Sequence, residues 1–565
     1  MRGEQEFTVR NVIAMVVVTV IVSASYPYMV LKMGIVPGMS IVSALMAYLA
    51  IGVVLRRHDY SARENNLVQV CATSGTSTAF MCTVIAALDM LGYVVSPALV
   101  FFWITASCLL GVFLAVPFRK HYIEVEQLRF ADGVATAETL RVLEAPTGEG
   151  AKKAKGLALS GVCAITCTWL RDVSGIIADP LTTNAYFVGV SPSLMLLGSG
   201  MLIGIRVCLW MLVASLATWV FLAPWLVANG IGQATADRFG MTPHFAKELY
   251  YPVLMRWVMW PATVLMVSAG ITAFIVRWQL VVKTFRSLSS FAYGVGREVS
   301  LRTIVIGAVV MTIALAIVQY VGFSIHPVVT VLGVVLSFPL MLVGIRAAGE
   351  TNIAPVSVLG STTQMIFGAV TPGDIGANMT ASGTTGSIAA NATDVMMDFK
   401  AGHLLGSTPR KMVIAQCIGV PLGALMVAIT YPLLKEVYGI GTETLPAPTA
   451  MKWKAFAELL NQGWHMLPPG AAFAMGIAAV VGVVIGICEK YWPRWTPSAM
   501  GIGIAMLLPA YMIIVIALGG IIGAIAGGMM RRKSETYLVP TACGFIAGES
   551  LMGVAIPLLK VLGVV

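Results

Sequence analysis

The stretch SLMLLGSGMLIGIRVCLWMLVASLATWVFLAPWLVA, from Ser193 to Ala228, carries one charged side chain, Arg206. About 20 apolar residues, rising 1.5 Å each, cross the hydrocarbon core of a bilayer. The run is therefore too apolar for a soluble loop and too long for one upright helix. It predicts a short re-entrant helix followed by a true span, broken near Arg206, whose charge must face a polar interior or a partner. The run from 498 to 530 has the same excess length, and Pro509 or the Gly519-Gly520 pair supplies an interruption.

The rest of the chain agrees. Its 565 residues are 58% apolar and 11% charged, with a mean hydropathy of +0.87, whereas soluble domains carry about 25% charged residues. Roughly sixteen segments reach spanning length. The fold class is an all-α polytopic membrane protein with about 14–16 transmembrane or re-entrant helices. The first apolar run, from Val12, passes Ser23-Ala24-Ser25 and continues through Tyr26-Pro27 to Met33, behind Glu4 and Glu6, so it reads as an uncleaved span.

Lys and Arg number 36 against 26 Asp and Glu, a net charge of +10. These basic residues sit in short loops and not on one polar face, which excludes nucleic acid as a partner and points to the lipid bilayer. Clusters at Arg56, Arg57 and Arg63, at Arg119, Lys120, Lys152, Lys153 and Lys155, and at Arg277, Lys283, Arg286, Arg297 and Arg302 should be cytoplasmic. The stretches 229–252 and 434–465 balance their charges and should be external. The expectation is a multi-pass protein of a cell inner membrane with a cytoplasmic N-terminus. Nine Cys without a CxxC pair and six His without an HxxxH pair imply no disulfide, no metal site and no cofactor.

Three short similarities recur in order. ENNLVQVCATSG from Glu64 reads alongside ETNIAPVSVLG from Glu350, Phe130-Ala-Asp-Gly133 alongside Phe399-Lys-Ala-Gly402, and SPSLM from Ser191 alongside TPSAM from Thr496. They suggest two structurally related halves, 1–300 and 301–565, each a membrane repeat, a device of secondary transporters whose substrate site lies between the repeats.

One spanning segment is full of polar residues. In ANMTASGTTGSIAANATDVMMD, from Ala377 to Asp398, the side chains of Thr380, Thr384, Ser387, Asn391, Asp394 and Asp398 fall on one helical face. Either they hydrogen-bond neighbouring helices or they line a water-filled path. Asp398, beside Lys400, reads equally well as a surface ion pair. The segment from Glu64 places Asn66, Gln69, Thr73, Thr76 and Ser77 on a shared face, with Gly75 as a point for the helix to unwind; its repeat mate adds Thr363 and Gln364 beyond Pro355 and Gly360. Glu64 and Glu350 occupy equivalent places and either pair with Arg63 or Arg346, or bind a proton or an amine. Asp172 pairs with Arg171. The series Gly482, Gly486, Gly519, Gly523 and Gly527 is a packing surface.

With ENNLVQ from Glu64, EVEQLRFADGVATAETLR from Glu124, TQMIFG from Thr363 and DVMMDFKAGHLLGSTPRK from Asp394 in hand, the chain resembles the oligopeptide transporter (OPT) superfamily from about Tyr28 to its C-terminus. It is nearer the plant yellow stripe-like and bacterial branch than the fungal peptide branch, whose Asn-Pro-Gly and Lys-Ile-Pro-Pro-Arg signatures are missing. Two departures stand out. Phe130-Ala131-Asp132-Gly133 lacks the expected Pro, and Thr351-Asn352-Ile353-Ala354-Pro355 has a neutral Asn where many members carry Asp.

The resemblance implies a secondary active transporter importing a small peptide, a peptide-like compound or a metal chelate, with the proton as coupling ion, and it leaves room for a homodimer. Asp394, Glu350 and Glu64 are then the candidate proton carriers, since Asn352 cannot be one. The alternatives from other classes are an intramembrane enzyme and a channel. No GxSxG, HExxH or GxxxxGK[ST] is present, which speaks against an enzyme and against ATP-driven transport.

Overall fold

The computed structural model describes residues 7–34, 39–54, 61–144, 149–183, 187–238, 251–276, 299–351, 356–462, 467–492, 495–529 and 534–564. The helices are α1 (Val9–Met33), α2 (Ser40–Tyr48), α3 (Ala62–Ser77), α4 (Met81–Met90), α5 (Pro97–Ala115), α6 (Ala131–Glu144), α7 (Glu149–Asp172) and α8 (Leu194–Ile203). They continue with α9 (Ile205–Leu216), α10 (Ala223–Ala228), α11 (Ile231–Arg238), α12 (Tyr251–Val276), α13 (Leu301–Phe323), α14 (Pro327–Thr351) and α15 (Val356–Val370). The last seven are α16 (Ile375–Leu405), α17 (Pro409–Tyr438), α18 (Pro448–Gln462), α19 (Ala471–Tyr491), α20 (Ala499–Leu507), α21 (Ala510–Met529) and α22 (Ser534–Val561). Extended pairing among the described residues is confined to Thr182–Thr183 against Gly189–Val190.

Eleven of the described helical segments are long and apolar enough to cross a membrane. The protein is an all-α, multi-pass membrane protein.

The two overlong runs are interrupted as their length requires. Ser193 caps α8 by accepting a hydrogen bond from the Leu196 amide, and the helix stops at Gly204, whose φ of +95° suits glycine. The break therefore falls two residues before Arg206 and is set by backbone freedom, not by the charge. Ser498 caps α20 in the same way, and Leu508 turns extended at ψ 144° because Pro509 excludes the helical conformation from the residue before it. The Gly519-Gly520 pair stays helical within α21. The serines of SPSLM and TPSAM thus each begin a short helix, of 10 and 9 residues, that breaks before a longer one.

Two compact units are woven from three chain segments each. One comprises 1–27, 36–155 and 278–432; the other comprises 28–35, 156–277 and 433–565. Each unit draws on both 1–300 and 301–565, so compactness and the proposed repeat are separate properties. In the first unit α16 is central, packed by α3, α5, α14 and α15. In the second, α8 packs on α21 and α22, and α12 on α19.

Candidate functional site

Asp374 caps α16 through the Ala377 amide at 2.9 Å, and Gly406, at φ +74°, ends it. Over its 31 residues the small side chains let neighbouring helices approach while the polar ones find partners on them. Thr380, Thr384, Ser387, Asn391 and Asp398 are buried and Asp394 is partly so. The stripe is enclosed in this structure.

At its N-terminal end, Thr380 donates to the Gly376 carbonyl, and Asn378 donates to the Gln364 carbonyl of α15 at 2.6 Å. Gln364 itself is buried with its amide 3.2 Å from the Met379 sulfur, and the Thr363 hydroxyl donates to the Leu359 carbonyl. The Thr384 hydroxyl accepts from Trp103 Nε1 of α5 at 3.0 Å and from Gln319 Nε2 of α13 at 2.8 Å. Thr330 donates to the Gln319 oxygen, which fixes that amide. Two turns on, Asn391 is 1% exposed, and neither its amide oxygen nor its nitrogen has a hydrogen-bond partner.

The two carboxylates both face α3. Ser77 Oγ lies 2.5 Å from Asp394 Oδ2 and 2.9 Å from the Thr73 carbonyl. Gln69 Nε2 donates to Asp398 Oδ1 at 2.7 Å and to Thr73 Oγ1 at 2.7 Å, and Asn66 Nδ2 donates to Gln69 Oε1 at 3.0 Å. Thr76 donates to the Thr73 carbonyl. Of the residues singled out in the sequence, Asn66, Gln69, Thr73, Ser77, Asp394 and Asp398 thus form one connected network.

Three local expectations are corrected. Asp398 is 2% exposed and bonded to Gln69, not ion-paired at a surface with Lys400; two residues apart on a helix, the two side chains diverge. Gly75 does not unwind α3, which runs on to Ser77 before a 3₁₀ turn at Thr78–Phe80. Glu64 pairs with Arg10 at 3.2 Å and completes a capping box with Ser61, while Arg63 donates to the Leu405 carbonyl. Asn352, Pro355 and the side chain of Glu350 lie outside the described residues.

A second polar centre, to which no sequence motif points, lies in the other unit. Glu549 Oε1 accepts from Arg171 Nη1 at 3.0 Å and from Ser193 Oγ at 2.7 Å, with Lys32 Nζ at 3.6 Å, and Oε2 accepts from the Met195 amide at 2.9 Å. Arg171 also grips Asp172 with Nε and Nη2, the local pair expected from the sequence. The carboxylate sits on the N-terminus of α8, where free amides and the helix dipole favour negative charge. Only the burial of Glu549 within an apolar run, with no basic neighbour in sequence, hinted at such a partner.

The profile described as "OPT oligopeptide transporter protein" matches residues 6–560. A putative oligopeptide transporter of Saccharomyces cerevisiae is 23% identical over 80% of this chain and 79% of its own. A putative oligopeptide transporter of Haemophilus influenzae is 24% identical over 93% and 91%, and a metal-nicotianamine transporter of Arabidopsis thaliana is 22% identical over 97% and 90%. The chain belongs to the OPT oligopeptide transporter family, and it is a membrane transporter, not an enzyme.

Proposed function

We propose that the protein imports a small peptide, a peptide-like compound or a metal chelate across a cell inner membrane by alternating access, driven by protons, with its N-terminus in the cytoplasm. The substrate class rests on relatives named for oligopeptides and for metal-nicotianamine. The repeat of capped, broken helices at Ser193 and Ser498 supports two related halves of the kind secondary transporters use. On this reading Asn66, Gln69, Thr73, Thr76, Thr363, Gln364, Thr380, Thr384, Ser387 and Asn391 line the substrate path when it opens.

The observation that carries proton coupling is the position of Ser77. Its hydroxyl has one hydrogen and two acceptors within reach, Asp394 Oδ2 and the Thr73 carbonyl. When Asp394 is ionised, Ser77 donates to it. When Asp394 takes a proton, the carboxyl donates to Ser77 and Ser77 turns to Thr73. Both charge states are hydrogen-bonded, so the site can load and release a proton without stranding a buried polar group. Glu64, by contrast, is held by Arg10 and by its capping box.

Asp394→Asn in reconstituted vesicles should abolish accumulation driven by an imposed pH gradient while leaving counterflow exchange. A thermal-shift screen of wild-type protein against di- to tetrapeptides and against free and metal-loaded chelators identifies the substrate to use. Undiminished pH-driven accumulation by Asp394→Asn would remove Asp394 from the coupling role.

A further inference from the structure

We propose that Asp398 is the anchor of a second ion site, distinct from Asp394, that holds a monovalent alkali cation. The case begins at Thr73. Its hydroxyl donates to the Gln69 carbonyl at 2.6 Å, so its oxygen can only accept from the Gln69 side chain. The Gln69 amide is thereby oriented: Nε2 faces Thr73 and Asp398 Oδ1, and Oε1 must accept from Asn66 Nδ2. Asn66 then has its oxygen left over, and that oxygen has no partner.

The leftover acceptors accumulate beside Asp398. Asp398 Oδ2 is buried without a hydrogen bond. Asn66 Oδ1 lies 3.2 Å from the position a Cβ would take on Gly402, one helical turn beyond Asp398 on α16. Gln416 of α17 is 0% exposed and turns its amide nitrogen, the side chain's one donor group, toward the Asp398 carboxylate, which leaves its Oε1 without a partner. Asn66 is 0% exposed and Asp398 2%. Three buried oxygens without hydrogen-bond partners, one of them a carboxylate's, thus belong to side chains that meet on α16 between Asp398 and Gly402, and among the described residues no cationic side chain is within ion-pair distance of Asp398.

Hard cations take oxygen ligands of this kind. A single carboxylate balances one positive charge; a divalent ion would leave an uncompensated charge in an apolar surround. A proton on Oδ2 would make one donor and serve one of the two remaining amide oxygens, whereas a cation serves all three oxygens at once. For coupling, the inference rests on the transporter reading above, because an ion held between α3, α16 and α17 would link their positions; for binding it does not.

Purified full-length protein, without substrate, is tested at fixed pH by thermal unfolding in sodium or potassium chloride against choline chloride of equal ionic strength, and by tracer sodium binding. One alkali cation should stabilise the protein by a saturable shift of several degrees, and tracer binding should fall at least tenfold in Asp398→Asn. Because that variant could misfold, Asn66→Ala is read beside it and should weaken binding with the fold intact. No alkali-specific shift in wild type, or a shift that persists undiminished in both variants, would overturn the site. Either result leaves pH-driven uptake untouched as a separate question, and loss of pH-driven uptake would leave cation binding standing.

Discussion

Thr384 shows how a single hydroxyl organises the polar stripe of α16. It accepts two buried donors, from Trp103 and Gln319, so Thr384→Val removes the acceptor for both while keeping the volume. Each stranded donor costs about 1–3 kcal/mol, and the variant should melt well below wild type in detergent; an unchanged melting temperature would mean that both donors find other partners. Asn391 is the opposite case. Its amide is buried and unpaired, which a packing residue would avoid and a substrate-facing residue in a closed conformation would not. Cysteine at Asn391 or Ser387, in a background without the native cysteines, should react with a small water-soluble thiol reagent during turnover, more slowly than an exposed control. Reaction at lipid-facing controls alone would show that the stripe only packs helices. Glu549→Gln should also lower stability, by about 3–5 kcal/mol, because Arg171 and Lys32 would lose a buried counter-charge.

Among elements, α17 packs closely on α3, the helix whose Ser77 and Gln69 hydrogen-bond the two carboxylates of α16. A Cβ on Gly419 would collide with the Cys71 carbonyl and one on Gly423 with the Gly75 backbone, so these two glycines, four residues apart, bring backbone against backbone. Gly75, read from the sequence as a hinge, is in fact the floor of that contact, and it also approaches Ser23 and Thr19 of α1. Gly423→Ala should therefore destabilise by about 1–3 kcal/mol through overpacking and disturb the Ser77–Asp394 contact two residues beyond Gly75. Gly527→Ala is the matched control: nothing lies within 4 Å of its Cβ position, unlike those of Gly482, Gly486, Gly519 and Gly523. Equal melting temperatures for the two variants would refute the close approach. The packing series was thus legible at four of its five glycines. Periodicity in a sequence reveals a glycine-rich face, but not whether that face ends at a neighbour or at lipid.

At the scale of the molecule, length and polarity were readable and pairing was not. The two overlong apolar runs had to break, and Pro509 was available to break one; in the other the charge of Arg206 marks the region, while the break itself falls at Gly204. The polar face of α16 followed from a period of 3.6 residues. The Gln69–Asp398 bond joins residues 329 positions apart and the Arg171–Glu549 pair residues 378 apart, distances at which local pattern carries no information. Orientation lies between these extremes. In the first unit, Arg63 and Arg141 donate to the last carbonyls of α16, where the helix dipole favours cations, and Lys400 and His403 line an adjoining cavity of about 400 Å³ with Glu124 and Gln127. One end of that unit is therefore the basic end. Cytoplasmic loops carry the excess of Lys and Arg, so this end should face the cytoplasm. The same rule applies to the stretch from Val276 to Arg302, where five basic residues oppose Glu298 alone; most of it lies outside the described residues, so its side rests on charge. A reporter active only in the periplasm, fused after Arg286, should be silent, and one active only in the cytoplasm should be bright. The converse pattern would invert the assignment of sides and put the basic end of α16 outside, against the charge rule.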